Sequence, residues 1–126
     1  MTYARVLMGT GCTRDLTAAD FRQAVRGNEN VFVYFWAPSC SPCAIFTPTY
    51  ETSAQNCPDI VHGKVNFEIE KDLVQTAGVT LLPTLMAFKK GQLVFKQPGI
   101  ANPTVMGELV TQLRAYRHKP TTPSLL

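Results

Sequence analysis

The chain has 126 residues, 45% hydrophobic and 17% charged, with a formal net charge of +3; that leaves room for one compact domain with one core and excludes two catalytic domains. Folding a chain of this length buries roughly two thirds of the surface its unfolded form exposes, so stability requires neither a metal nor crosslinks. Four cysteines are far too few for a disulfide-held scaffold, and a longest apolar run of Val31 to Ala37 excludes a membrane-spanning helix.

Residues 1–10 read as an extension ahead of a domain over 11–117. The extension lacks the apolar core of a secretory leader, and Gly9-Thr10-Gly11-Cys12 has no apolar region before it that would make Cys12 a lipid attachment site. The expected location is therefore the cytoplasm, with reduced thiols. Cys12 lies near the expected first strand. A helix follows from Leu16 to Val25: Thr17 three residues before Asp20 is a weaker form of the capping box, Phe21, Ala24 and Val25 share one face, and Gly27-Asn28 ends it. Val31 to Trp36 is β-branched and aromatic without alternation, as in a central strand covered on both faces, and it stops before Pro38.

From Cys43 to about Cys57 the pattern is helical, kinked at Pro48. Ile60 to Ile69 alternates like a strand, and Asp72 to Ala77 is a short helix closed by Gly78. Thr84 to Phe88 and Leu93 to Lys96 flank Lys89-Lys90-Gly91-Gln92 as an antiparallel hairpin. The last helix has Asn102 as cap and Pro103 at its first position, with Val105, Leu109, Val110, Leu113 and Tyr116 on one stripe. Its basic end, Arg114, Arg117, His118 and Lys119, is a solvated surface and falls short of a nucleic-acid signal. Residues 118–126 have little to bury and are expected to be disordered. Strands alternating with helices and ending in a hairpin predict an α/β fold: a central mixed β-sheet with helices on both faces.

The chemistry concentrates in Trp36-Ala-Pro-Ser-Cys40-Ser-Pro-Cys43, two thiols three positions apart where a buried strand meets the start of a helix. Unpaired N–H groups and the dipole at a helix N-terminus stabilise an anion, which raises the thiolate fraction of a cysteine there. Pro42 suits a first turn, which needs no N–H. Cys40, ahead of the helix, is the exposed nucleophile of such an arrangement; Cys43, inside the first turn, is the shielded resolving thiol. Zinc is the competing reading, because Cys40, Cys43, Cys57 and His62 form C-x2-C-x13-C-x4-H. Against it, a helix between the two pairs would hold them about 20 Å apart at about 1.5 Å per residue. Cys12 and Cys57 read as buried or idle thiols, and His62 as a surface or strand-edge residue rather than a ligand.

Over residues 16 to about 116 the sequence resembles the thioredoxin family. The resemblance rests on Phe35-Trp36-Ala37 before Cys40-Ser-Pro-Cys43, Pro48 five residues on, Lys64-Val-Asn, Gly78-Val79, Leu82-Pro83-Thr84, Phe88-Lys89-Lys90-Gly91 and Gly99. It implies a thiol-disulfide oxidoreductase that reduces disulfides in target proteins, with Cys40 attacking and Cys43 resolving. It also implies a cis Pro83 facing the cysteines, a Leu82 backbone that pairs with an extended substrate, and a shallow contact surface of Trp36, Pro42, Leu82, Pro83, Gly99 and Ile100. No cofactor or metal beyond the cysteine pair is expected, nor nucleic acid or membrane. The expected partners are disulfide-containing proteins and a flavoprotein thioredoxin reductase, and the expected state is a monomer.

Four positions depart from the family pattern. Ser39 replaces a tryptophan before the first cysteine, Ser41 a glycine between the two, and Ala44 a basic residue after the second. Tyr34 stands where the family carries a buried aspartate that helps move a proton at the second cysteine, with the lysine matched by Lys64 nearby. A phenol with pKa near 10 is a poor base at neutral pH. Either Cys43 is harder to deprotonate and resolution slower, or Tyr34 packs in the core with its hydroxyl on Lys64 or water. Ser-Pro between the cysteines is closer to Gly-Pro of reducing members than to Pro-His of oxidising ones, which points to a reductant. The alternatives are a thioredoxin-fold adaptor with little or no catalysis and, third, a zinc module.

Overall fold

The computed structural model describes residues 12–100 and 102–117; the expected extension over 1–10 and tail over 118–126 lie outside the described residues. The elements are β1 (Thr13–Asp15), α1 (Ala18–Gly27), β2 (Asn30–Trp36), α2 (Ser41–Asn56), β3 (Val61–Asn66), α3 (Lys71–Ala77), β4 (Thr84–Lys89), β5 (Gln92–Pro98) and α4 (Pro103–Ala115). The sheet runs β1-β3-β2-β4-β5, with β1, β3 and β2 parallel and β4 and β5 completing an antiparallel edge.

Strand β2 explains the layers. Its side chains alternate between faces: Val31, Val33 and Phe35 pack with Ala24 and Val25 of α1 and Leu73 and Val74 of α3. Phe32 and Tyr34 pack on the other face with Phe46 and Tyr50 of α2 and Met106, Leu109 and Val110 of α4. Residues 31–35 are completely buried, so each large side chain among them contributes about 1.5–3 kcal/mol by leaving water. The expected mixed sheet with helices on both faces is what forms.

Caps set the helix ends. Thr17 and Asp20 form the full reciprocal box on α1, Asn102 accepts from Thr104 and Val105 at the start of α4, and Gly78 closes α3 at φ 70°. Two lysines from the hairpin cap helix C-termini, where a cation meets unpaired carbonyls. Lys96 Nζ donates to Ala77 and Gly78 O. The buried Lys89 Nζ donates to Leu113 and Arg114 O at 3.0 and 3.2 Å.

Three expectations need correction. The strand drawn to Ile69 ends at Asn66, because the Asn66 side chain accepts from the backbone N–H of Glu68 and its carbonyl accepts from Ile69 and Glu70; these bonds turn the chain. Tyr116 is not on the helix stripe but caps its end, 39% exposed. His62 is neither on the surface nor at an edge: β3 lies between β1 and β2, and the imidazole is completely buried, its ring beside Phe32 and Tyr50. Nδ1 lies 2.9 Å from Ile60 O and Nε2 2.9 Å from Ser53 Oγ. A carbonyl can only accept, so Nδ1 carries the proton and Nε2 accepts from Ser53.

Burial holds the His62 imidazolium back and depresses its pKa, against the opposing pull of the Ile60 carbonyl and the Asp59 and Glu51 charges. A depressed folded pKa means that the unfolded chain binds the proton first. The stability contributed by neutral His62 is then full above about pH 6.5 and lost as pH falls toward the folded value, at up to about 1.4 kcal/mol per pH unit. Urea unfolding between pH 7 and 5 is expected to show this slope in the native chain and a shallower one in His62→Gln; parallel curves would contradict it.

Candidate active site

The site forms where β2 runs out. Ala37 O accepts from Cys40 N–H at 3.1 Å, and Cys40 becomes the N-cap of α2, its Sγ accepting from the Cys43 N–H at 3.2 Å. The donor that a helix N-terminus leaves unpaired is thus aimed at the Cys40 sulfur, as the sequence position predicted. Cys40 is half-buried and Cys43 only 2% exposed, and the two are joined by a disulfide with Cα atoms 5.2 Å apart. Pro42 is exposed in the first turn, and Pro48 lies inside the helix, which runs on past it to Asn56.

The Leu82–Pro83 bond is cis, as the resemblance implied. Gly99, at φ 83°, donates its N–H to Pro83 O at 2.8 Å, which joins the end of β5 to the start of β4. Trp36, Cys40, Leu82 and Ile100 all pack against the cluster that contains Cys43, so these expected residues come together; Pro42 and Gly99 lie exposed.

Tyr34 is completely buried with its ring edge-on to Phe46. Its hydroxyl does not reach Lys64, as one expectation had it, but lies 2.9 Å from both the Cys43 carbonyl and Thr47 Oγ1. Thr47 Oγ1 also donates to Cys43 O. Burial, helped by the Glu51 charge and opposed by the Thr47 hydrogen bond, raises the Tyr34 pKa above its ordinary 10. The phenol is therefore a neutral anchor on the backbone of Cys43.

Lys64 faces Tyr34 across β3 and β2 but turns to Glu51, 3.3 Å away, with its Nζ 5.0 Å from the centre of the Trp36 ring. Glu51 also accepts from Thr13. The Trp36 indole N–H is buried with no hydrogen-bond partner among the described residues. Ser39 donates to Glu68 at 2.6 Å, a contact between residues 29 apart in sequence.

Thr47, Glu51 and Glu68 were missed by sequence reasoning. Cys43, Thr47 and Glu51 recur every fourth residue on one helix face, a signal that could have found the first two; nothing local marks Glu68. The zinc ligands are not gathered. Cys57 caps the far end of a 16-residue helix, about 24 Å from the first pair at 1.5 Å per residue, and both nitrogens of His62 are engaged.

The family model described as Thioredoxin matches residues 12–112. A Streptomyces coelicolor protein described as a thioredoxin 2 is 40% identical over 102 residues, spanning 81% of this chain and 76% of that protein. Thioredoxin from Alicyclobacillus acidocaldarius is 36% identical over 91 residues, 68% of this chain and 87% of its own length. Among solved structures, oxidised mitochondrial thioredoxin 3 of Saccharomyces cerevisiae superposes with a TM-score of 0.74 at 28% identity, covering 82% of this chain and 98% of that one. With the cysteine pair at the strand-to-helix junction and the cis proline before β4, the chain belongs to the thioredoxin family of thiol-disulfide oxidoreductases.

Proposed function

We propose that Cys40 and Cys43 are the reacting pair and that the protein works mainly as a reductant of disulfides in other proteins. The observation that carries this reading is the Cys40 sulfur at the N-cap of α2, accepting the Cys43 N–H, beside a partner that is nearly inaccessible. The Cys40 thiolate attacks one sulfur of a target disulfide; that S–S bond breaks, a mixed disulfide forms, and the leaving thiolate takes up a proton. Cys43, deprotonated, attacks the Cys40 sulfur and releases the second target thiol. Two electrons pass to the target, the Cys40–Cys43 disulfide is left behind, and no further cofactor is needed.

Trp36, Pro42, Leu82, Pro83, Gly99 and Ile100 form the surface that receives an extended target segment by strand-like pairing with the Leu82 backbone. Recharging falls to a flavoprotein thioredoxin reductase, since no glycine-rich nucleotide-binding pattern occurs in the sequence. The proposed setting is the cytoplasm, where such a dithiol stays reduced, and the proposed state is a monomer. Reduction of a reporter protein disulfide, with dithiothreitol as electron source, tests the reading. Catalysis well above the dithiothreitol background is the result predicted; none above background would favour an adaptor that uses the Pro83 surface for binding alone.

Tyr34 and Lys64 modulate the second step. With a neutral phenol on its carbonyl and no carboxylate in the family position, Cys43 has a poorer route for losing its proton. Stopped-flow measurement of Tyr34→Asp is expected to show faster resolution of the mixed disulfide, and an unchanged rate would sink this assignment.

A further inference from the structure

We propose that Glu68 is a specificity-determining residue that selects target disulfides flanked by basic residues and disfavours acidic ones. The inference rests on the reading of Cys40 as the attacking thiol. The three segments that make up the reacting face, residues 36–46, 79–84 and 98–100, contain no Asp, Glu, Lys, Arg or His. Ala44 stands where the family carries a basic residue. The field over the cysteines is therefore set by whatever charge neighbouring segments bring to it.

Glu68 brings one. Its carboxylate accepts a 2.6 Å hydrogen bond from Ser39 Oγ, and Ser39 is the residue directly before Cys40, one peptide unit or about 3.8 Å between Cα atoms. The loop behind it is fixed rather than loose: Phe67 N–H donates to Trp36 O at 2.7 Å, and Glu68 N–H donates to Asn66 Oδ1 at 2.9 Å. Glu68 is exposed and makes no ion pair among the described residues. Lys71, on the first turn of α3, borders the same groove as Glu68 but does not pair with it. A pinned carboxylate with no ion-pair partner among the described residues thus sits beside a reacting face whose own segments carry no charge.

The same segments of that face carry exposed apolar side chains, with Ile45 68% and Leu81 61% exposed. The target class that complements it is an apolar segment with Lys or Arg near its disulfide. A cation there gains from Glu68 both in encounter and in the mixed disulfide, whereas an acidic neighbour is repelled.

Two apolar disulfide peptides that differ only in carrying Lys or Glu beside the cystine test this. The native protein is expected to reduce the Lys peptide with a kcat/KM about fivefold higher at low ionic strength, the ratio shrinking as salt screens the charge. Glu68→Gln should bring the ratio close to one, and Glu68→Lys should invert it. Ser39→Ala, which frees the carboxylate from its anchor, should give an intermediate ratio. Because each figure is a ratio within one variant, a general change in thiol reactivity or fold cancels out of it. A native ratio of one, or a ratio unmoved by both Glu68 substitutions, overturns the proposal while leaving the oxidoreductase intact. Reduction of neither peptide overturns the attack by Cys40 on which it depends.

Discussion

Cys40→Ser is expected to lower protein-disulfide reduction by about a thousandfold or more, the scale of loss when a covalent nucleophile is removed. A thiolate is the attacking species in disulfide exchange, and a serine hydroxyl is not ionised at neutral pH. The remaining thiol of the pair cannot substitute, since Cys43 is 2% exposed and a target sulfur cannot reach it in line. Cys43→Ser should fail differently. Its first attack is intact, but the mixed disulfide waits for an external thiol. An internal thiol with an effective molarity of even about 1 M outpaces a millimolar external one by about a thousandfold, and well-oriented groups exceed that. Turnover assays with both variants check this; comparable activity in Cys40→Ser and the native protein would remove Cys40 from the centre of the mechanism.

The largest effect on stability is expected at Tyr50, with Tyr50→Ala costing about 4 kcal/mol. The side chain is completely buried, lies against Tyr34, Phe46 and His62 with ring centroids 5.0 to 5.7 Å away, and donates to Gly63 O at 2.8 Å. It therefore joins the middle of α2 to β3 through packing and a hydrogen bond together. Its phenol is also held neutral, since burial, with the Glu51 charge behind it, raises its pKa well above 10. Truncation leaves a cavity against three rings and removes the bond to Gly63 O, whereas Tyr50→Phe removes only that hydrogen bond and should cost about 1 kcal/mol. Denaturant midpoints at constant m-value separate the two; equal losses would mean that packing against the rings contributes little.

Much of this architecture was legible because it follows from local chemistry. Val31 to Trp36 is too apolar to face water on either side, so a central strand is what it can form. Thr17, Asn102 and Gly78 mark helix ends by hydrogen bonds to their own neighbourhood. The cysteine pair was legible for the same reason, as spacing and flanking residues place it at a helix start. What stayed hidden depends on contacts between distant residues. Nothing near His62 announces that Ser53 and Ile60 will satisfy both of its nitrogens, so a buried histidine read as a surface one. Tyr34 was noticed as a departure, but its partners on α2 follow only from how that helix crosses the sheet. The Ser39–Glu68 contact depends likewise on the turn after β3. Strand β3 was overrun because Phe67 and Ile69 continue the apolar alternation after Asn66 has already turned the backbone.

The most direct measurement is peptide mapping by mass spectrometry after pre-reduced Cys43→Ser protein meets a disulfide-bonded peptide. Attack by Cys40 predicts one adduct, half of the target joined to Cys40, with Cys12 and Cys57 unmodified. An adduct on Cys12 or Cys57 instead, or none on Cys40, would contradict it.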